Sequence, residues 1–191
     1  IFDSGVKAAQ STRLGGVSNH PFNSLNLGKS TSDLHENVIQ NRKLFFDSLN
    51  IPIDRIALSK QVHGTQVLLV NEPVTTEGYD AMITNAKNVF LAVSVADCTP
   101  ILIYDKKNKV VAAIHAGWRG TVAGIVTNAL ETMKANFNSS GNDCFAFIGA
   151  CIGYDAFEVG EEVAHAFAPE FKKTGSNGKY LVDLKGTNKI A

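Results

Sequence analysis

Four short apolar runs follow one another between residues 81 and 114: Ala81-Met82-Ile83, Val89 to Val95, Ile101-Leu102-Ile103-Tyr104 and Val110-Val111-Ala112-Ala113-Ile114. Runs this continuously apolar suit strands covered on both faces, because a strand with one wet face alternates apolar and polar residues. Such strands need other layers above and below their sheet. Asp105-Lys106-Lys107-Asn108 reads as a polar hairpin turn between two of them. Ile56-Ala57-Leu58 and Val67-Leu68-Leu69-Val70 add two short strands upstream, and Phe145 to Ile148 reads as another buried strand downstream.

Helices supply the covering. Over Asp33 to Asn50, Asp33 can cap a helix start with Glu36 three residues on, as in a capping box. Val38, Ile39, Arg42, Phe45, Phe46 and Leu49 fall near one face, and Asn50 and Pro52 stop the helix. The clearest helix follows Thr121, where Val122, Ile125, Val126, Ala129, Leu130, Met133 and Phe137 keep the helical period. Gly160 to Phe171 reads as another, with Val163, Phe167 and Phe171 inward and His165 on the polar side. The first 32 residues, with Gly15, Gly16, Pro21 and Gly28, read as turns around short strands. The class is therefore α+β or mixed α/β, with sheets between helices. No repeat, low-complexity segment or linker interrupts the 191 residues, so a single domain over 1–191 is expected.

With 18 basic against 18 acidic residues, the chain lacks the surplus of Lys and Arg that attracts nucleic acid or anionic lipid. Its longest apolar run, Val89 to Ala96, contains Ser94 and is less than half as long as a membrane span. Nothing near the start has the charged-then-apolar form of a signal peptide. The chain starts at Ile1 without Met, so preceding residues are expected. These features point to a cytoplasmic protein with neither nucleic acid nor membrane as partner. Three cysteines, Cys98, Cys144 and Cys151, are too few and odd in number for a secreted disulfide scaffold. In a reducing compartment they are buried thiols, metal ligands or a nucleophile.

His63, Cys98 and His115 each sit in a turn just beyond an apolar strand, beside Gly or Pro: Gln61-Val62-His63-Gly64, Ala96-Asp97-Cys98-Thr99-Pro100 and His115-Ala116-Gly117. At strand ends, side chains distant in sequence converge on one crevice. Two imidazoles and a thiolate suit a metal such as Zn²⁺ and leave a fourth position open. The same residues also allow a Cys98 nucleophile with His115 as its base. A buried cysteine and two loop histidines of no special function is the third alternative.

Thr12-Arg13-Leu14-Gly15-Gly16-Val17-Ser18, Ser24-Leu25-Asn26-Leu27-Gly28, Gln61-Val62-His63-Gly64, Asp80-Ala81-Met82-Ile83-Thr84, Ala96-Asp97-Cys98 and His115-Ala116-Gly117-Trp118-Arg119-Gly120 occur in this order. Ile148-Gly149-Ala150-Cys151-Ile152-Gly153 and Phe157-Glu158-Val159-Gly160 follow. The set resembles the purine nucleoside phosphorylase family of YfiH/YlmD type, also called laccase-domain or polyphenol oxidase proteins, over essentially the whole chain. The resemblance implies α-β-β-α layers and a zinc held by His63, Cys98 and His115. It implies phosphorolysis of adenosine, inosine, guanosine and methylthioadenosine, and adenosine deamination. The older family label implies copper-dependent oxidation of phenols instead.

Two departures from the family pattern stand out. Family members continue past Gly186-Thr187-Asn188 to a segment with a Ser-Tyr-Arg-Arg-like motif, so the C-terminal segment is expected to be lacking here. Asp155 and Ala156 stand where the family often has cysteine, which removes that position as a catalytic candidate.

In the implied chemistry, Asp97 is a candidate acid for the leaving ammonia, or a partner that orients a histidine. Arg13 and Arg119 suit phosphate, because a guanidinium binds two oxygens at once. Asn26 can bind a hydroxyl or amide group, or close its own turn. Trp118 can stack on a purine or anchor packing. Cys144 reads as core and Cys151 as part of a Gly-rich turn, while His20, His35 and His165 receive no role.

Overall fold

The computed structural model of the chain describes residues 5–191. In chain order it contains α1 (His35–Ser48), β1 (Ile56–Lys60), β2 (Val67–Leu69), β3 (Thr75–Glu77), β4 (Ala81–Thr84), β5 (Phe90–Ala92), β6 (Thr99–Asp105) and β7 (Val110–Ala116). These are followed by α2 (Trp118–Val122), α3 (Ile125–Phe137), β8 (Cys144–Ile148), β9 (Glu158–Val159), α4 (Glu161–Ala164), β10 (Lys172–Thr174), β11 (Tyr180–Val182) and α5 (Leu184–Lys189).

The central sheet has the order β2-β4-β7-β6-β8; its β2–β4 pair is parallel and the others are antiparallel. Side-chain alternation sends Ala81, Ile83, Ile101, Ile103, Ala112 and Ile114 to one face, where they pack on Ile125, Val126, Ala129 and Met133 of α3. Met82 points the other way, into a cluster with Ala57, Leu68, Leu91 and Val93. That cluster joins the central sheet to a second, parallel sheet of order β3-β1-β5. On the far side of this second sheet, Ile56, Leu58, Phe90 and Ala92 pack against Phe45, Phe46 and Leu49 at the end of α1. The layers are thus helix, sheet, sheet, helix, an α+β arrangement in which β4 is buried at all four positions. Each fully buried Ile, Val or Met side chain here contributes about 1.5–3 kcal/mol. A third sheet, β10-β11-β9, packs with α4 and Trp118 around Val159, Phe167, Val182 and Leu184.

Several sequence expectations need correction. No strand forms over residues 5–34. Helix α1 begins at His35 without a side-chain cap, because Asp33 Oδ2 accepts from the Ser18 hydroxyl at 2.6 Å and from Asn26 Nδ2 at 3.0 Å. Ile39 is exposed, and Asn41 takes its place inside. The expected long helix after Thr121 is two helices, since Gly124 takes a left-handed φ of +84° that α-helix cannot continue through. The Gly160–Phe171 helix shortens to α4, with Pro169 opening a separate 3-10 turn. Strand β8 is an edge strand with Phe145 exposed, because only β6 pairs with it. His115 lies inside β7 rather than in the turn beyond it.

Candidate metal centre

The antiparallel registers assemble the site at one end of the central sheet. Ala81 pairs with Ile114, so the next step outward sets Asp80 opposite His115, and the His115 N–H donates to the Asp80 carbonyl at 2.7 Å. Thr99 pairs with Ala116, so the next step sets Cys98 opposite Gly117. By alternation, Asp80, Cys98 and His115 all share the face of Met82, which looks toward the second sheet. His63 reaches the same place from the loop joining β1 to β2. One donor atom from each of His63, Cys98 and His115 lies within 4.8 Å of the others, and the two imidazole rings meet edge to face at 81°.

Asp80 holds both histidines, and sequence reasoning gave it no role. Its side chain is completely buried. Its Oδ1 lies 2.7 Å from His115 Nδ1; a carboxylate only accepts, so Nδ1 carries the proton and Nε2 is left to bind a ligand. The same carboxylate accepts the successive backbone N–H groups of Val62, His63 and Gly64 at 3.2, 2.9 and 2.8 Å. These three bonds hold the loop while His63 adopts φ +60°, a left-handed conformation that a side chain disfavours. The sequence carries one local sign of it, a carboxylate placed directly before the apolar start of β4.

The electrostatics suit a cation. Burial pushes the His115 pKa down; Asp80 opposes this, but His63 adds to it and the net direction is downward, toward the neutral form that ligates metals. Burial pushes the Cys98 thiol up, and the negative charges of Asp97 and Asp80 push it further. A metal ion held beside it would offset this, because a coordinating thiol is deprotonated outright. A Cβ on Gly117 would stand 2.7 Å from His63 Cδ2 and 3.1 Å from Cys98 Sγ, so the missing side chain makes room for the cluster. The donor set, the free His115 Nε2 and this clearance fit a metal ion, which the three residues could hold.

The other candidates are less closely assembled. Asp97 is exposed beside Cys98, and its carbonyl accepts from the Ile152 N–H at 2.9 Å. Arg119 is exposed two residues beyond Gly117, its guanidinium carbon 4.6 Å from the centre of the Trp118 ring. Trp118 itself packs against the third-sheet cluster. Arg13 is exposed and donates to the Asn23 carbonyl at 3.3 Å. The Asn26 amide is committed to its own loop, donating to Thr31 Oγ1 at 2.9 Å and to Asp33 Oδ2 at 3.0 Å, and accepting from the Gly28 N–H at 3.0 Å. His20, His35 and His165 are exposed.

Fold and site together define a layered α+β protein with a His–Cys–His group at one sheet end. Residues 7–191 match the family described as multi-copper polyphenol oxidoreductase laccase. YfiH of Escherichia coli (strain K12), named a purine nucleoside phosphorylase, is 41% identical over 186 residues, covering 94% of this chain and 74% of that protein. YlmD of Bacillus subtilis (strain 168), named likewise, is 32% identical over 201 residues, covering 97% and 72%. The crystal structure of YlmD from Geobacillus stearothermophilus superposes with a TM-score of 0.88 at 30% identity, over 94% of this chain and 73% of that one. The chain belongs to this laccase-type family, whose relatives include the YfiH and YlmD purine nucleoside phosphorylases. In the described residues no helix is long and apolar enough to cross a membrane.

Proposed function

We propose that the chain is a zinc enzyme of purine nucleosides, which cleaves adenosine, inosine, guanosine or methylthioadenosine with phosphate and also deaminates adenosine. The observation that carries this reading is the His63–Cys98–His115 group, with donor atoms within 4.8 Å of one another, in a chain 41% identical to a protein named purine nucleoside phosphorylase. His63, Cys98 and His115 would hold the metal, with His115 presenting Nε2 because Asp80 occupies Nδ1. Zinc bound there supplies Lewis acidity and lowers the pKa of a bound water toward neutrality.

The chain's own residues supply binding and proton transfer. In phosphorolysis a phosphate oxygen bonds to C1′ of the ribose as the C1′–N9 bond breaks, and the electron pair leaves on the purine. Arg119 and Arg13 bind the dianion, each able to engage two oxygens. Asp97, exposed beside Cys98, moves the proton: to the leaving ammonia in deamination or to the departing purine in phosphorolysis. Asn26, with its amide committed to Thr31, Asp33 and Gly28, orders its own loop. The proposed setting is the cytoplasm.

The test is metal analysis of protein purified without added metal, paired with product analysis after incubation with adenosine and phosphate. About one zinc per chain is expected. Adenine or inosine should appear, and both metal and product should be lost in His63→Ala. The family's laccase description favours one second reading, copper-dependent oxidation of phenols by the same three ligands. No zinc, no purine product and phenol oxidation restored by copper would establish that reading in place of the first.

A further inference from the structure

Cys151 is the one cysteine near the site that the proposed function does not use. The β6–β8 ladder pairs Ile101 with Ile148, and the two segments continue side by side beyond the strands. The Gly149 N–H donates to the Pro100 carbonyl at 2.9 Å, and the Ile152 N–H to the Asp97 carbonyl at 2.9 Å. These two bonds bracket Cys98 and Thr99 on one side and Ala150 and Cys151 on the other. At constant register, counting outward from Ile101 and Ile148 puts Cys98 opposite Cys151, between these two bonds. Ala150 turns its N–H and carbonyl outward to the Gln10 side chain at 2.8 and 3.0 Å, which holds this extension against β6.

Directly opposed residues of an antiparallel pair have Cα atoms about 4.5–5.5 Å apart. A disulfide spans Cα separations of about 4.4–6.8 Å. Both thiols are free and half-buried, so a small oxidant reaches them. Cys144 is excluded from the pair, since it lies opposite Asp105 at the far end of the same two strands.

We infer that Cys98 and Cys151 form a cysteine pair that a peroxide oxidises reversibly to a disulfide, withdrawing Cys98 Sγ from the His63–Cys98–His115 group. One sulfur attacks a peroxide oxygen: an S–O bond forms, the O–O bond breaks, and the leaving oxygen departs as water after taking a proton. The second sulfur attacks the resulting sulfenic acid: the S–S bond forms, the S–O bond breaks, and a second water leaves. Two thiols thus give up two protons and two electrons, and peroxide is reduced to two waters. Cys151 thereby protects Cys98 from irreversible oxidation and couples metal retention to oxidant level. The pairing is independent of the catalysed reaction; only its effect on bound metal rests on the proposed role of Cys98.

The experiment uses the whole chain as purified, with metal content measured first. Protein is treated with hydrogen peroxide, then alkylated and digested for mass spectrometry. Two of the three thiols should become unavailable. The Cys98 and Cys151 peptides should be joined and lighter by two hydrogens, dithiothreitol should restore both, and bound metal should fall in step with the linkage. In Cys151→Ala no linkage forms and Cys98 proceeds to sulfinic acid that dithiothreitol does not reverse. The proposal is overturned if wild-type Cys98 reaches sulfinic acid while Cys151 stays alkylatable, if the linkage involves Cys144, or if all three thiols survive. Absence of metal before oxidation would count against the proposed function and leaves the linkage scored on its own.

Discussion

Asp80 and His115 face each other across the β4–β7 register, with backbone N–H to carbonyl at 2.7 Å and ring Nδ1 to carboxylate at 2.7 Å. One buried carboxylate therefore fixes the tautomer of one candidate ligand, and through three loop N–H groups it fixes the backbone of the other. Replacing Asp80 with Asn keeps the size but forfeits charge and the capacity to accept four bonds. Loss of such a carboxylate behind a ligating histidine typically costs about 10–100-fold in metal affinity. Competition with a chelator should show a fall of that size in D80N, with a lower melting temperature because buried N–H groups lose their acceptor. Unchanged affinity would separate Asp80 from the centre.

Gly117 tests the same centre from its other side. In Gly117→Ala the new methyl has to displace the His63 ring or the Cys98 sulfur, since both lie inside ordinary contact distance. Overpacking of this kind costs about 1–3 kcal/mol. Part of that should fall on ligand geometry, as a loss of about tenfold or more in metal affinity. Gly153→Ala is the control, because a Cβ there meets nothing within 4 Å. Chelator competition and thermal melting on both variants check the pair; equal behaviour would mean that the clearance at Gly117 is incidental.

The parts legible in sequence were those that depend on local pattern. The apolar runs Ala81–Ile83 in β4 and Val110–Ile114 in β7 declare two covered faces, and His63, Cys98 and His115, each near Gly or Pro, stand out as residues at or near strand ends. What stayed hidden depends on register. Asp80 is opposite His115, and Cys98 opposite Gly117, only once two strand pairings are known. The small third sheet is hidden for a different reason: its strands are two or three residues long, too short for a periodic signal. The break at Gly124 was masked because apolar spacing ran on across it into Ile125. Asp33 fits a cap by local pattern, but its partner Ser18 lies 15 residues away, beyond any local rule.

Asp105 gives a pH-dependent expectation remote from the centre. It is buried at the β6–β7 hairpin, where it accepts from the Lys107 and Asn108 N–H groups, each at 2.9 Å, and from Asn108 Nδ2 at 2.8 Å. Burial opposes ionisation, yet the donors outweigh it and hold the carboxyl below the ordinary value of 3.8. A carboxyl whose folded pKa is depressed adds stability above its unfolded pKa and loses it as pH falls through the folded value. Urea denaturation should therefore show a stabilising contribution at neutral pH that fades below about pH 4. In Asp105→Ala that contribution should be absent, with stability lowered by about 1–2 kcal/mol at neutral pH. An unaltered acid profile in the variant would contradict this.

Asn26 and Arg119 were both candidates for contacting substrate, and the structure gives them different surroundings. The side-chain bonds of Asn26 go to Thr31, Asp33 and Gly28, so Asn26→Ala should loosen a loop that also leans on Asn41. The expected result is a loss of about 1 kcal/mol in stability, with KM for phosphate unchanged at temperatures where the fold is intact. Arg119 is exposed, and its contact with Trp118 is with the ring face, which leaves the guanidinium N–H edge available for an anion. Arg119→Ala should therefore leave melting nearly unchanged and raise KM for phosphate about 10-fold or more, the loss of a charge-assisted contact of about 1.5–3 kcal/mol. Arg119→Lys should recover only part of this, because an ammonium cannot reproduce the two-point contact. Steady-state phosphorolysis with phosphate varied, alongside melting curves, separates the two residues. A KM effect in Asn26→Ala with none in Arg119→Ala would reverse the assignment and move phosphate to the N-terminal loop.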